Sequence, residues 1–363
     1  MAAEAQVRFF LGANAPTGFY SLYDQMIDPA RAEDIVILKG GPGCGKSSLM
    51  RRVGRAMEER GLAVEYIQCS GDPDSLDAVV IPALKTAVVD GTAPHVVEPR
   101  YPGAVERYLN LGDCYDREGL RPLREQLFTL TKEYKKCYAR AYRCLTAAAQ
   151  IGEDLRALVI TPASEAKAAQ RVKGILAREV GKSGGEQGSA VQRFLGAVTW
   201  QGPLCFYDTA DALCSRIYEL SDSWGLAHAM LTHLATGAMA AGYDVIVCPD
   251  PMAPDRMEHL LIPGLSLGFL TTTPARPYGK RPYRRIRLDA MAEPELLRRN
   301  KARLRFSKKV SAALMEEAVA SLAQAKGLHD ELEALYNPHV DFPRVYRTAD
   351  ALADELARRI SLP

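Results

Sequence analysis

The sequence predicts an α/β fold, a parallel sheet flanked by helices, duplicated in tandem, each copy carrying a long helical hairpin. Three observations predict it. The first is that the chain matches itself. Phe10-Leu-Gly-Ala-Asn-Ala-Pro-Thr-Gly18 with Tyr23-Asp24 returns as Phe194-Leu-Gly-Ala-Val-Thr-Trp-Gln-Gly202 with Tyr207-Asp208, at an offset of 184. Pro73-Asp74 with Ile81-Pro82 returns as Pro254-Asp255 with Ile262-Pro263, at an offset of 181. The chain has 363 residues, so one unit accounts for half of it and a small deletion for the drift. The second is a strand, a glycine loop and a helix in succession. Ile35-Val36-Ile37-Leu38 is a short apolar run suited to a buried parallel strand. Beyond the loop, Leu49, Met50, Val53 and Met57 share one helical face, and Gly61 supplies a stop. The third is a pair of helical arms. Leu120, Leu123, Leu127, Leu130, Tyr134, Cys137, Ala141, Cys144, Ala148, Ile151, Leu155 and Leu158 recur three and four apart, and Pro162 ends the run. Leu297, Leu304, Leu314, Ala318, Ala325, Leu328, Leu332 and Leu335 repeat it at an offset of 177.

The expected organisation is a core over 1–117, a helical hairpin over 118–180, a Gly-rich linker over 181–189, a second core over 190–292 and a second hairpin over 293–363. Within the hairpins, return helices are expected from the spacing of Ala169, Val172, Leu176 and Val180, and of Tyr346, Ala349, Leu352, Leu356 and Ile360. The arms admit two readings: a lever or partner-binding arm, or two hairpins packed on each other as a bundle, which such seams more often serve.

The loop itself reads Gly40-Gly41-Pro42-Gly43-Cys44-Gly45-Lys46-Ser47-Ser48, which fits G-x-x-x-x-G-K-[ST], the P-loop pattern. Glycines let successive backbone N–H groups curl around phosphate oxygens, and a helix N-terminus adds its dipole. All nine residues are candidates for binding a nucleoside triphosphate. Lys46 is placed for the β- and γ-phosphates, and Ser47 for Mg²⁺. Lys85-Thr-Ala-Val-Val-Asp90 reads as a strand ending in a carboxylate, making Asp90 the second candidate for the metal. Lys46, Asp90 and Asp72 form the candidate catalytic set, with Asp72 as base or water-positioning group. Cys44 has two readings: a thiol activated by Lys46 and a helix N-terminus, or an inert small residue. Asp74 and Asp77 look like a helix N-cap and first-turn acid. His95 is expected on a surface loop.

The duplication tests these residues within one chain. At the 181 offset, Gly40, Gly43, Gly45, Lys46 and Ser47 become Ser221, Trp224, Leu226, Ala227 and His228. Asp90 becomes Thr271 and Asp72 becomes Ala253, whereas Asp74 and Asp77 become Asp255 and Glu258. The second copy is therefore expected to have lost nucleotide binding. Its remaining roles are structural, regulatory, or completion of the first site from outside.

Bulk properties exclude other classes. No apolar run is long enough to span a membrane, and Met1–Gln6 lack the pattern of a secretory signal. Eight cysteines without a CxxC pair argue against a zinc site or a disulfide framework, and for a reducing cytoplasm. Cys69, Cys205 and Cys248 read as buried thiols. From Arg276 to Lys309 thirteen Lys or Arg stand against three acids, with Tyr278 and Tyr283 interleaved. That stretch could track nucleic acid, supply an arginine finger from Arg276 or Arg281, or be a solvated face.

Phe10–Asn14 with Gly18-Phe-Tyr, the glycine loop, Asp72–Asp77 and Val89–His95 resemble an uncharacterised bacterial family of tandem P-loop proteins, described only as ATPases or nucleotide kinases. The resemblance runs along essentially the whole chain. It implies a P-loop NTPase-like sheet and nucleotide binding, with no established substrate. Relatives can carry a P-loop in each half, and this chain departs from them at Ser221 to His228. The expected activity is ATP hydrolysis with Mg²⁺ at one site in the first half. ATP is favoured over GTP because the guanine-reading Asn-Lys-x-Asp is missing: Asn300-Lys301 is followed by Ala302-Arg303. A small-molecule or nucleotide kinase, and an ATP-dependent switch or scaffold binding a protein or nucleic acid, are the alternatives.

Overall fold

The computed structural model describes residues 6–181 and 186–360. Part of the expected linker, 182–185, therefore lies outside the described residues. The first unit runs β1 (Val7–Phe9), β2 (Gly12–Ala15), β3 (Gly18–Ser21), β4 (Asp34–Lys39), α1 (Lys46–Glu58), β5 (Glu65–Gln68), β6 (Leu76–Ile81), β7 (Thr86–Asp90), β8 (Glu106–Asn110), α2 (Arg117–Leu120), α3 (Arg124–Val159) and α4 (Pro162–Ile175). The second runs β9 (Ala190–Gln192), β10 (Gly196–Thr199), β11 (Gly202–Cys205), α5 (Tyr207–Leu213), β12 (Arg216–Ser221), α6 (Ala227–Ala240), β13 (Val245–Asp250), β14 (Ala253–Ile262), β15 (Leu267–Thr272), β16 (Arg284–Arg287), α7 (Pro294–Arg299), α8 (Lys301–Tyr336) and α9 (Phe342–Ile360).

Each unit holds a six-stranded sheet, ordered β1-β5-β6-β7-β4-β8 in the first and β9-β13-β14-β15-β12-β16 in the second. Pair by pair the two are the same. The strand before the glycine loop, β4, lies parallel to β7 and β8, and β12 lies parallel to β15 and β16. The middle pairings, β5-β6-β7 and β13-β14-β15, are antiparallel. The apolar run Ile35–Leu38 is buried on both sides: Val36 and Leu38 lie under α1 and α9, and Ile35 and Ile37 face the core shared with the second unit. Even backbone exceptions repeat: Lys85 and Ser266, 181 apart, both take positive φ.

A pseudo-twofold axis joins the units. Phe10 and Phe194 are equivalent residues, and they bond to each other: Phe10 N–H donates to Phe194 O at 2.9 Å and Phe194 N–H to Phe10 O at 3.0 Å. One apolar core runs across this contact, with Phe9, Leu11, Ile67, Leu195, Phe206 and Ile217 buried together. Arg193, buried at the same boundary, bonds to Glu65 and to the carbonyls of Gln25 and Met26. The long arms also meet near the axis. Ala141 and Leu145 of α3 pack on Ala318 and Leu322 of α8, again equivalent positions. Leu145 thus takes the buried seam place expected for Cys144.

The expected self-closed hairpins do not form. Each return helix crosses to the opposite unit. Thr161 caps α4 through a capping box and Pro162 opens it, so the chain turns sharply away from α3. Ala168, Val172 and Ile175 of α4 then pack with Leu231, Leu234 and Ala238 of α6. Reciprocally, Val345, Ala349, Leu352, Ala353 and Leu356 of α9 complete the core around α1. Val345, Leu352 and Leu356 are worth roughly 1.5–3 kcal/mol each on burial, so this exchange ties the units energetically. Among the described residues no helix is long and apolar enough to cross a membrane.

Candidate functional site

The glycine loop of the first unit leaves β4 at Lys39 and enters α1 at Lys46. Gly43 and Gly45 have φ of 67° and 85°, a region closed to most side chains. Gly45 is the N-cap and brings no side chain to cap the helix, so the first-turn N–H groups are left for a ligand. Gly40 is small for a packing reason: a Cβ there would lie 2.6 Å from Cys44 Sγ. Lys46 Nζ donates to Gly40 O at 2.8 Å and Gly41 O at 2.9 Å. It also stands 3.5 Å from the Asp90 carboxylate. The parallel register of β4 and β7, with Leu38 opposite Asp90, delivers that carboxylate beside the loop. Thr92 orients it, donating to Asp90 Oδ1 from N at 2.8 Å and Oγ1 at 2.6 Å. Ser47 Oγ accepts from Leu76 N at 3.0 Å, and Pro42 O accepts from Tyr115 Oη at 2.8 Å. Ser48 is exposed on the first turn.

The second unit's arm lies over this loop. Glu333 Oε1, near the end of α8, accepts from Gly43 N at 3.3 Å. A Cβ on Gly43 would come 2.6 Å from Asn337 Oδ1, and one on Gly45 would meet Val345 and Phe342. Lys326, two turns before Glu333 on α8, reaches Asp72 at 3.6 Å. Local sequence reasoning missed Glu333, Asn337 and Lys326, because nothing near them resembles a motif. The one available signal was indirect: the apolar face of α9 needs a partner, and the sequence does not say which unit supplies it.

Several expectations change. Asp74 and Asp77 cap no helix, since Leu76–Ile81 is a strand held between β5 and β7. The turn is made by Asp72, which accepts from Ser75 Oγ at 2.9 Å and Asp74 N at 3.4 Å. Asp77 and His95 are both buried and lie 3.3 Å apart, so His95 is not a surface residue. Tyr23 Oη donates to Asp77 at 2.7 Å, and burial, opposed by His95, pushes the Asp77 carboxyl up. The equivalent pair in the second unit is Glu258 with Arg276, also in contact. A pair that changes identity together yet stays in contact reads as structural. Burial works against the Glu258 charge, but Arg276 and His259 outweigh it and hold the carboxyl at about 2. Arg276 is thereby committed inside its own unit, and Lys280 bonds to Asp208 and Asp211, so the expected finger from Arg276 has no support here. Cys44 is buried, and burial pushes its thiol up despite Lys46, which favours the inert reading.

The equivalent loop of the second unit is filled from within. Asp222, which replaces Gly41, accepts from the N–H groups of Trp224 at 3.0 Å, Gly225 at 2.9 Å and Ala227 at 2.6 Å. These amides correspond to Gly43, Cys44 and Lys46. A carboxylate of the chain therefore occupies the anion position. The architecture around it is kept: His228 Nδ1 accepts from Met257 N at 3.0 Å, the counterpart of Ser47 with Leu76. Arg156 of α3 lies against Gly225, as α8 lies against Gly43.

Family models, curated proteins and solved structures give no match to this chain, so the site is read from its geometry.

Proposed function

We propose that the chain is a P-loop NTPase that binds ATP with Mg²⁺ at Gly40–Ser48 and hydrolyses it at this one site. The observation that carries the reading is the contrast between two equivalent loops. One presents glycine-shaped amides, Lys46 and Asp90 together. The other is closed by the Asp222 carboxylate.

The donor set fits the ligand. Backbone N–H groups, a helix N-terminus and an ammonium suit phosphate oxygens. The Ser47 hydroxyl and Asp90 carboxylate are hard oxygen ligands of the kind Mg²⁺ takes. Ser47 spends one lone pair on Leu76 N–H and keeps the other. Bound Mg²⁺ would neutralise charge on the phosphates and hold them in place. Lys46, released from the carbonyls of Gly40 and Gly41, stabilises negative charge developing on the transferred phosphoryl group. Tyr115, through Pro42, and Thr92, through Asp90, keep the loop and the carboxylate in position.

Among the alternatives, a nucleotide-dependent switch has an observation in its favour: Glu333 and Asn337 touch the loop, so phosphates there must displace the arm. A kinase reading has none, because Asp72 already bonds to Ser75 and faces Lys326. Steady-state phosphate release from ATP tests the proposal. The wild type should turn over and Lys46→Ala should lose at least a hundredfold. Equal turnover by Lys46→Ala would refute it.

A further inference from the structure

The cleft between α4 and the edge strand β16 is large and cationic. It measures about 850 Å³, and Lys167, Arg171, Arg178, Arg284, Arg285 and Arg287 line it without any acid. Glu179 and Glu219 beneath it are already engaged, Glu179 by Arg178, Arg216 and Tyr218, Glu219 by Arg285 and Thr272. Arg171, Arg284 and Arg287 contact no carboxylate among the described residues. All three are exposed. Tyr283 stands beside the cleft with its ring half-exposed, packed edge-on against Tyr218 and flanked by Arg216 and Arg284.

The duplication supplies an internal control. The equivalent surface of the first unit is formed by α9 and β8. There Arg107 pairs with Asp34 at 2.8 Å and Glu355 at 2.7 Å, and Arg359 pairs with Asp34 at 3.0 Å. One fold thus carries a neutralised face in one unit and a face with excess basic charge in the other. Packing of a return helix on an edge strand does not require the charge, since the first unit does without it. Concentrated like charge is self-repelling, and its natural counterpart is a polyanion.

We infer that this cleft binds single-stranded nucleic acid. The arginines track the phosphates, and Tyr283 offers a face on which a base stacks. This site lies where α4 of the first unit covers the edge of the second unit's sheet, and it does not depend on the nucleotide reading of the glycine loop.

Fluorescence anisotropy of the full chain with a fluorescein-labelled oligo(dT) of about twenty nucleotides, a length chosen to exceed one binding site, tests it. Binding should weaken steeply with salt. The triple variant Arg171→Ala, Arg284→Ala, Arg287→Ala should lose at least tenfold in affinity and about 2 from the slope of log K against log salt. Tyr283→Ala should lose roughly fivefold or more with the slope unchanged. Arg298→Ala with Arg299→Ala, paired to Glu295 on α7 outside the cleft, should change nothing. No binding at low salt, or an equal loss from the α7 pair, would overturn the site. Full competition by inorganic polyphosphate together with an inert Tyr283→Ala, or a preference for duplex, would overturn the assignment to a nucleic-acid strand.

Discussion

Glu333 takes an amide of the glycine loop, so on the proposed function replacing it should tighten nucleotide binding. Its carboxylate accepts from Gly43 N at 3.3 Å, and the side chain is 39% exposed. A hydrogen bond to a partly exposed charge is worth about 1 kcal/mol after solvent screening. Removing a negative charge from beside a helix N-terminus that receives a polyphosphate adds roughly 0.3–1 kcal/mol. Glu333→Ala, which removes both the hydrogen bond and the charge, should therefore bind ATP with Mg²⁺ about nine to thirty times more tightly than wild type. Glu331→Ala, exposed on the same helix, controls for net charge and should change affinity by less than about twofold. Calorimetric titration of both variants reads this out. Unchanged or weaker binding by Glu333→Ala would refute the idea that the second unit's arm competes with nucleotide for the loop.

Leu356→Ala, in α9 but buried against α1, should cost about 2–5 kcal/mol in denaturant unfolding, because the cavity opens in the first unit's core. A loss below about 1 kcal/mol would argue against the exchange of return helices. Asp250 is raised to about 6 by burial and by Glu258. A raised carboxyl stabilises the fold below its unfolded value near 3.9 and loses that contribution as pH rises through about 6. Asp250→Asn, which can still accept from Met252 N, should therefore gain about 3 kcal/mol near pH 8 and little near pH 4; a pH-independent effect on thermal unfolding would contradict it.

The fold was legible where the sequence speaks locally. Ile35–Leu38, the glycine loop and the face Leu49–Met57 announce a strand, a turn and a helix, because period and residue type settle each without distant partners. The duplication was legible for the same reason: Phe10–Gly18 and Phe194–Gly202 can be read against each other. The destination of α4 and α9 was not. An amphipathic helix states that it needs a partner, and two units with the same topology offer two equivalent faces. The site divides similarly. Lys46 and Asp90 were expected and lie 3.5 Å apart. Glu333, Asn337 and Lys326 come from the crossing arm, so no spacing near them could point to the loop. His95 was misplaced because a histidine in Thr-Ala-Pro-His looks solvated, while its burial depends on Asp77 across the sheet. Asp222 could have been noticed as the carboxylate at the Gly41 position, but its filling of the loop needs the backbone geometry.

Of the two equivalent glycine-position loops, one is open and one is closed by the Asp222 carboxylate, so the chain should bind one nucleotide. Calorimetric titration of the full chain with a non-hydrolysable ATP analogue and Mg²⁺ tests it most directly. The account predicts one nucleotide per chain, abolished by Lys46→Ala and unaffected by His228→Ala. Two nucleotides per chain, or one that survives Lys46→Ala, would contradict it.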